Sequence, residues 1–270
     1  MLTRLLELPP EGSAHAAAID RVIGLEHVGM ALLFVACLAY FVFVLVRFRR
    51  ASQVRARYAG VHAPWSYGIA AALAVCELLL LFLFELPMWR DRVDGLPAPE
   101  QSTVVRVVAE QFAWNIHYPG ADRRFGRTDI ALVAPDNPLG LDRTDPSAMD
   151  DITTINQLVV PGGRPVLVHL SSKDVIHSFT LYEMRVKQDA LPGTETLTWF
   201  VPTVTTAQMR ERLGRPAFDY EIACSQLCGL GHYRMRGVLT VTTDAAYQDF
   251  LATELQRSRG AVPPTQPRRR

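Results

Sequence analysis

Neither sign of charge dominates this chain. Its 28 Lys and Arg nearly cancel its 27 Asp and Glu, leaving a formal net charge of +1. No basic run with interleaved aromatics lies in the folded-looking part, so nothing points to nucleic acid. Cysteine is scarce, at four in 270 residues. No Cys-x-x-Cys pair occurs, which weakens a dithiol redox loop, and no Cys-x-x-Cys-His, which excludes an attached c-type haem. Cys37 and Cys76 lie in apolar stretches, where a thiol is expected to behave as a small buried hydrophobe. Cys224 and Cys228 lie on a polar, glycine-rich segment. A disulfide between them would close a small, strained ring.

Charge is missing altogether from Val28 to Val46, a run of about the length that crosses a bilayer core. It ends in Arg47, Phe48, Arg49 and Arg50, a stop-transfer pattern rather than the small-residue cleavage site of a signal peptide. A second apolar run extends from about Trp65 to Trp89, with Trp and Tyr near its ends as interfacial anchors. Arg47, Arg49, Arg50, Arg55 and Arg57 lie between the runs. By the positive-inside rule that loop faces the cytoplasm, and both termini lie outside the cell membrane. The expected organisation is an extracytoplasmic segment over 1–27, a transmembrane hairpin over 28–90, an outer domain over 91–258 and a disordered tail over 259–270. Glu77 falls near the middle of the second span and Glu85 nearer its outer end. A carboxylate at that depth costs about 2.5–3.5 kcal/mol, so it seldom faces lipid. Either a proton-relay role or a neutral carboxyl bonded to a neighbouring helix fits Glu77, and both imply a partner.

From about Thr103 the pattern changes to short β-branched or alternating segments bounded by Gly, Pro and Asp. Strands are expected over Val104–Val108, Phe112–Tyr118, Ile155–Val160, Pro165–Leu170, Phe179–Glu183, Thr196–Val201, Phe218–Ala223 and Val238–Thr242. This spacing argues for a sandwich or small barrel. Ala121 to Asp151 reads as an acidic, solvated insertion, with docking of a basic protein as the alternative. Ala245 to Arg257 reads as a closing amphipathic helix with Tyr247, Phe250, Leu251 and Leu255 on one face.

The chemistry is concentrated between Cys224 and Met235, where two thiols, the imidazole of His232 and a thioether fall within twelve positions. Thiolate and thioether are soft donors that select copper, and imidazole suits it too. A mononuclear blue-copper site needs one Cys; the surplus thiol points to two metal ions bridged by two sulfurs. A second imidazole must then come from elsewhere. His177, just past a strand, is the best placed. His169 falls mid-strand, His117 on another strand between Ile116 and Tyr118, and His15, His27 and His62 belong with the anchor. Zinc is the alternative for such a Cys/His set, and the methionine weighs against it.

Three segments carry a family likeness. Cys224 to Met235 reads Cys-x-x-x-Cys-Gly-x-x-His-x-x-Met, Asp174 to Ser178 reads Asp-Val-x-His-Ser, and Lys187 to Gly193 reads Lys-x-Asp-Ala-x-Pro-Gly. In these, and over nearly its whole length, the chain resembles subunit II of the haem–copper cytochrome c oxidases. The resemblance implies a two-helix transmembrane hairpin followed by an all-β cupredoxin-like barrel or sandwich. It implies a binuclear copper-A centre held by the side chains of His177, Cys224, Cys228, His232 and Met235 and by the backbone carbonyl of Gln226. Cytochrome c would be the donor. Haem–copper oxidase subunit I, with other oxidase subunits, would receive the electrons, reduce oxygen and translocate protons. Copper-A subunits of nitric oxide reductases and copper-free subunits of quinol oxidases are the neighbouring alternatives. The family's Gln-Trp-x-Trp patch for electron uptake reads Gln111-Phe112-Ala113-Trp114 here, which implies Phe112 and Trp114 in that role. Most relatives carry Glu where Gln226 stands, and its side chain helps hold a magnesium at the subunit interface; the amide counts against that second metal. Where relatives have Glu-x-x-Trp before the second helix, this chain has His62-Ala-Pro-Trp65.

Overall fold

The computed structural model describes residues 6–49 and 64–261, with side chains to 258. Arg50, Arg55, Arg57 and His62, on which part of the topology argument rests, lie outside the described residues. The chain divides into two compact units, one containing Ala17–Gly95 and the other Pro9–Ala16 together with Leu96 onward.

The first unit holds two long helices, α1 (Ala16–Arg47) and α2 (Pro64–Asp94), both long and apolar enough to cross a membrane. None of the most apolar window of either helix is buried. Side chains such as Leu32, Phe34, Tyr40, Phe82 and Leu83 stand exposed on them. Apolar surface of that extent needs lipid or another protein against it. Helix α1 starts at Ala16 rather than Val28, because Asp20, Arg21 and Glu26 are accommodated in extra turns before the charge-free run. At 1.5 Å per residue its 32 residues reach about 48 Å, beyond the ~30 Å hydrocarbon core. Cys37 and Cys76 are exposed on these helices, not buried as expected, since the helix surfaces face outward rather than into a protein core.

Within α2 the backbone widens to a π-turn over Leu81–Glu85. Pro87 follows two residues after the turn. Proline has no N–H and its ring collides with the carbonyl four residues back, so a wider turn relieves the ladder at that point. The two helices share a cleft of about 610 Å³ lined in part by Ile19, Glu26, Leu81, Glu85 and Trp89. Glu77 is exposed on α2.

The second unit is a β-sandwich. Its strands are β1 (Thr103–Glu110), β2 (Ala113–Tyr118), β3 (Ile152–Ile155), β4 (Gln157–Pro161), β5 (Val166–Ser172), β6 (His177–Leu181), β7 (Val186–Ala190), β8 (Thr196–Phe200), β9 (Tyr220–Cys224) and β10 (Arg236–Thr242). One sheet runs β3-β2-β1-β5-β8 and the other β4-β10-β9-β6-β7. The inward rows are apolar: Val105, Val107 and Ala109 on β1, Trp114, Ile116 and Tyr118 on β2, Val166, Val168 and Leu170 on β5, all buried. Strict alternation on β1 gives that face its period of two. Two helices cap the unit, α3 (Thr206–Leu213) and α4 (Asp244–Ala261). Helix α4 covers the expected closing helix and runs into the first residues of the expected tail; beyond Ala261 the tail lies outside the described residues. Tyr247 is buried, and Phe250, Leu251 and Leu255 pack on the core.

The expected strand Ile155–Val160 is instead two strands in two sheets. Asn156, at φ 57°, is the corner where the chain leaves one sheet for the other. Asn tolerates the left-handed region because its short amide bonds locally. Here Oδ1 accepts from Trp114 N at 2.8 Å, and its backbone carbonyl accepts from Val238 N at 2.8 Å.

The insertion between β2 and β3 is ordered by its own acids. Asp150 accepts from the backbone N–H of Ala121, Asp129 from Ala131 and Asp145 from Arg127. Asp142 binds the Arg127 guanidinium and Thr144. Asp151 is fully buried, accepting from Gly126 N at 2.7 Å and pairing with buried His117 Nε2 at 2.6 Å. The segment is largely exposed, as a solvated loop is expected to be, and these carboxylates hold its fold. The first of its two 3₁₀ turns, Ile130–Leu132, displays Ile130, which is 90% exposed.

Residues 9–16 belong to the sandwich rather than to a separate leading segment. Gly12 N donates to Glu183 O, Thr203 N to Gly12 O and Ala14 N to Val201 O. Ser13 Oγ donates to Met184 O at 2.7 Å within the core. The chain thus lays an extra extended strap on the domain before α1 begins.

Candidate metal centre

Strand geometry gathers the donors at one end of the second sheet. His177 opens β6 and Cys224 closes β9, and these strands are antiparallel neighbours with Phe179 opposite Cys224. Ser225 N donates to Ser178 O at 3.0 Å, extending that pairing by one rung. Met235 directly precedes β10, which pairs with β9 through Arg236 and Ala223. The segment 225–235 is therefore the loop of one hairpin, and His177 stands on the strand beside it. Across from His177 lies Ala190 of β7, part of the Lys187–Gly193 motif, whose strand the apolar pattern did not reveal.

All expected donors converge. Cys224 Sγ lies 3.8 Å from Cys228 Sγ and 3.9 Å from His177 Nδ1. Cys228 Sγ lies 3.6 Å from His232 Nδ1 and 3.8 Å from Met235 Sδ. The Gln226 carbonyl oxygen is 3.2 Å from Cys224 Sγ. The ligand atoms of His177, Cys224 and Cys228 all lie within 4.8 Å of one another, a group that can hold a metal ion. His177, Cys228 and Met235 are buried, and Cys224 and His232 are half-buried.

The electrostatics fit a cation between the sulfurs. Burial works against the Cys224 thiolate, but hydrogen bonds from His177, from the backbone at Ser178 and Gln226 and from His232 bring its pKa down to about 6. Burial and the neighbouring Cys224 charge push Cys228 the other way, up to about 11. Two thiolates this close cannot both ionise without positive charge beside them, and a bound metal supplies it. Sulfur, imidazole and thioether together are a soft set that suits copper better than zinc.

Of the aromatic pair, Phe112 is half-buried in the two-residue turn between β1 and β2. It does not lie in a strand as expected, because Glu110 pairs directly with Ala113. Its ring rests on the metal loop: a methyl built on Gly231 would overlap it, and one on Gly229, at φ 133°, would press on Gln111 and Phe112. Trp114 is fully buried, its ring 6.2 Å from the His177 ring and 5.5 Å from Phe179. Only Phe112 of the two reaches the surface. Among the other described histidines, His117 pairs with Asp151, His169 with Glu195 at 2.7 Å, His15 meets Trp199 edge-on, and His27 bonds the Ile23 carbonyl.

The architecture and the site together define a cupredoxin-like domain with a Cys/His/Met loop that could hold a metal, joined to a pair of apolar membrane helices. Residues 103–242 match the family described as cytochrome c oxidase subunit II, periplasmic domain. The chain is 30% identical over 236 residues to the alternative cytochrome c oxidase subunit 2 of Bradyrhizobium diazoefficiens, covering 86% of this chain and 79% of that one. It is 26% identical over 255 residues to cytochrome c oxidase subunit 2 of Cereibacter sphaeroides, covering 87% and 75% respectively. Among solved structures it is similar to the periplasmic domain of subunit II of cytochrome oxidase (CoxB) of Bradyrhizobium japonicum. That likeness has 24% identity and a TM-score of 0.41, over 60% of this chain and 97% of that one. The chain belongs to the cytochrome c oxidase subunit II family. It is a membrane protein and a subunit of an oxidoreductase complex, with oxidase subunits as partners.

Proposed function

We propose that this chain receives electrons from a cytochrome c and passes them to a haem–copper catalytic subunit that reduces oxygen and translocates protons. Two copper ions would be held by the side chains of His177, Cys224, Cys228, His232 and Met235 and by the Gln226 carbonyl. The observation that carries this reading is the convergence of six donors from two adjacent strands and one hairpin loop. Bound copper would supply one-electron redox chemistry at a centre whose ligands barely move. The protein's part is to hold those ligands rigidly, bury them against the sandwich core and leave Phe112 at the surface beside the loop. Exposed Leu227, Leu230 and Tyr233 ring the same end and offer an apolar face to a donor or an oxidase partner.

The sandwich lies on the extracytoplasmic side in this reading. Arg47 and Arg49 at the far end of α1 support that placement, and so does the strap 9–16, which keeps the N-terminal segment with the sandwich. A Gln101→Cys variant should react with a membrane-impermeant maleimide in intact cells; protection until the membrane is broken would refute the sidedness.

The central test is metal stoichiometry. Purified protein given copper under reducing conditions should take up two equivalents per chain and, after removal of one electron by a mild oxidant, show a paramagnetic resonance signal of one unpaired electron shared by two nuclei. His177→Ala and Cys228→Ser should each abolish cytochrome c oxidation while the oxidase still assembles. Uptake of zinc in preference to copper, or normal turnover of the His177 variant without copper, overturns the reading.

A further inference from the structure

The segment that delivers His177 begins at Asp174, and this carboxylate makes more bonds than a surface acid needs. Its Oδ1 accepts from His177 Nε2 at 2.9 Å and from Val175 N at 2.7 Å. Its Oδ2 accepts from Gln111 N at 2.7 Å, across 63 residues of sequence. Gln111 in turn donates its side-chain Nε2 to the Cys228 carbonyl at 2.6 Å. A continuous path of hydrogen bonds therefore runs from one donor, His177, through Asp174 and Gln111 to the backbone of another, Cys228. Phe112 is the next residue after Gln111, so the same path fixes the aromatic ring over the loop.

We propose that Asp174 is the positioning residue of the metal centre: one oxygen holds the His177 imidazole with Nδ1 turned to Cys224, and the other pins the Gln111–Phe112 turn across the loop. This rests on the copper reading above. An imidazole that gives its far N–H to a carboxylate keeps one tautomer and one orientation and becomes a stronger donor to the metal. Few groups can do both tasks at once, because the geometry requires two acceptor oxygens on one short side chain. Gln111 contributes the second half of the bracket through its amide.

The test uses the full oxidase purified with Asp174→Asn and Asp174→Ala, and Glu195→Gln as a control that removes one charge elsewhere on the sandwich. Asn keeps the bulk but has a single acceptor oxygen, so it cannot serve both His177 and Gln111. Both Asp174 variants should still hold two coppers per chain at saturating copper. Their copper affinity should fall about 10–100-fold, their reduction potential should rise, and the copper hyperfine pattern should change, more for Ala than for Asn. Should the alanine chain fail to assemble, the asparagine chain carries the same comparison. The Glu195 control should match the unsubstituted spectrum. A spectrum and potential unchanged in both Asp174 variants, with only the rate of cytochrome c oxidation reduced, would overturn the proposal and assign Asp174 to docking of the donor. Failure of the unsubstituted oxidase to bind the copper pair would instead refute the reading on which the proposal stands.

Discussion

Phe112 and Gly231 set a constraint on one another that either residue alone would not reveal. The ring occupies the space in which any side chain at 231 would have to grow. Gly231→Ala should therefore destabilise the chain by about 1–3 kcal/mol through overpacking. Adding Phe112→Ala to that variant should recover most of the loss, because the obstacle has gone. Thermal melts of the four chains of this double-mutant cycle measure the coupling; additive losses would show that the two residues do not press on each other. Individual donors of the centre were legible in the sequence because soft ligands are few and closely spaced there. Among the histidines, His177 lies 3.9 Å from Cys224 Sγ, while His169 and His117 pair with Glu195 and Asp151. Trp114 was less legible. Its motif position says nothing about depth, and the hairpin turn at Gln111–Phe112 places it in the core.

At the scale of elements, the apolar pattern located most of the strands and missed one with little apolar sequence. Strand β7 reads Val186-Lys-Gln-Asp-Ala190 with only its ends buried, too little apolar sequence to register as a strand. Helix α3 was missed for a similar reason, as only Thr206 and Met209 are buried. Its signals were nevertheless present: Thr205 and Gln208 form a capping box, and Gly214 closes the helix in the left-handed conformation. The corner at Asn156 was hidden because Ile155 before it and Leu158, Val159 and Val160 after it read as one strand-forming segment. Asn156→Ala should cost about 2 kcal/mol, combining left-handed strain with an unpaired Trp114 N–H, and Asn156→Gly should cost less. Urea unfolding in detergent would rank the two; equal losses would argue that strain is negligible there. The insertion depends on one buried pair. Asp151→Ala would strip both His117 and Gly126 of their acceptor, and a loss of about 3–5 kcal/mol is expected from such a buried break. A melting temperature within two degrees of the parent would contradict that (about 2–4 °C per kcal/mol at this size).

For the whole molecule, the sequence divides cleanly at the level of charge and hydropathy, and the two compact units follow that division with one exception. The strap over residues 9–16 is short, polar in part and opens with two prolines, so no periodicity marks it as a strand. Its partners, the backbone of Glu183, Val201 and Thr203, are distant in sequence and could not be inferred without the fold. Ser13→Ala should lower stability by about 1 kcal/mol by removing the buried bond to Met184 O, read as a drop of a few degrees in a detergent melt; no drop would mean that the strap contributes nothing there. The strap also has a practical corollary for anyone who cuts the molecule apart. A fragment excised after the second helix would begin with every β-strand intact and yet be short of a piece of its own wall. Such a fragment should be softer than the parent, and a synthetic peptide copying residues 9–16 should bind to it and stiffen it again.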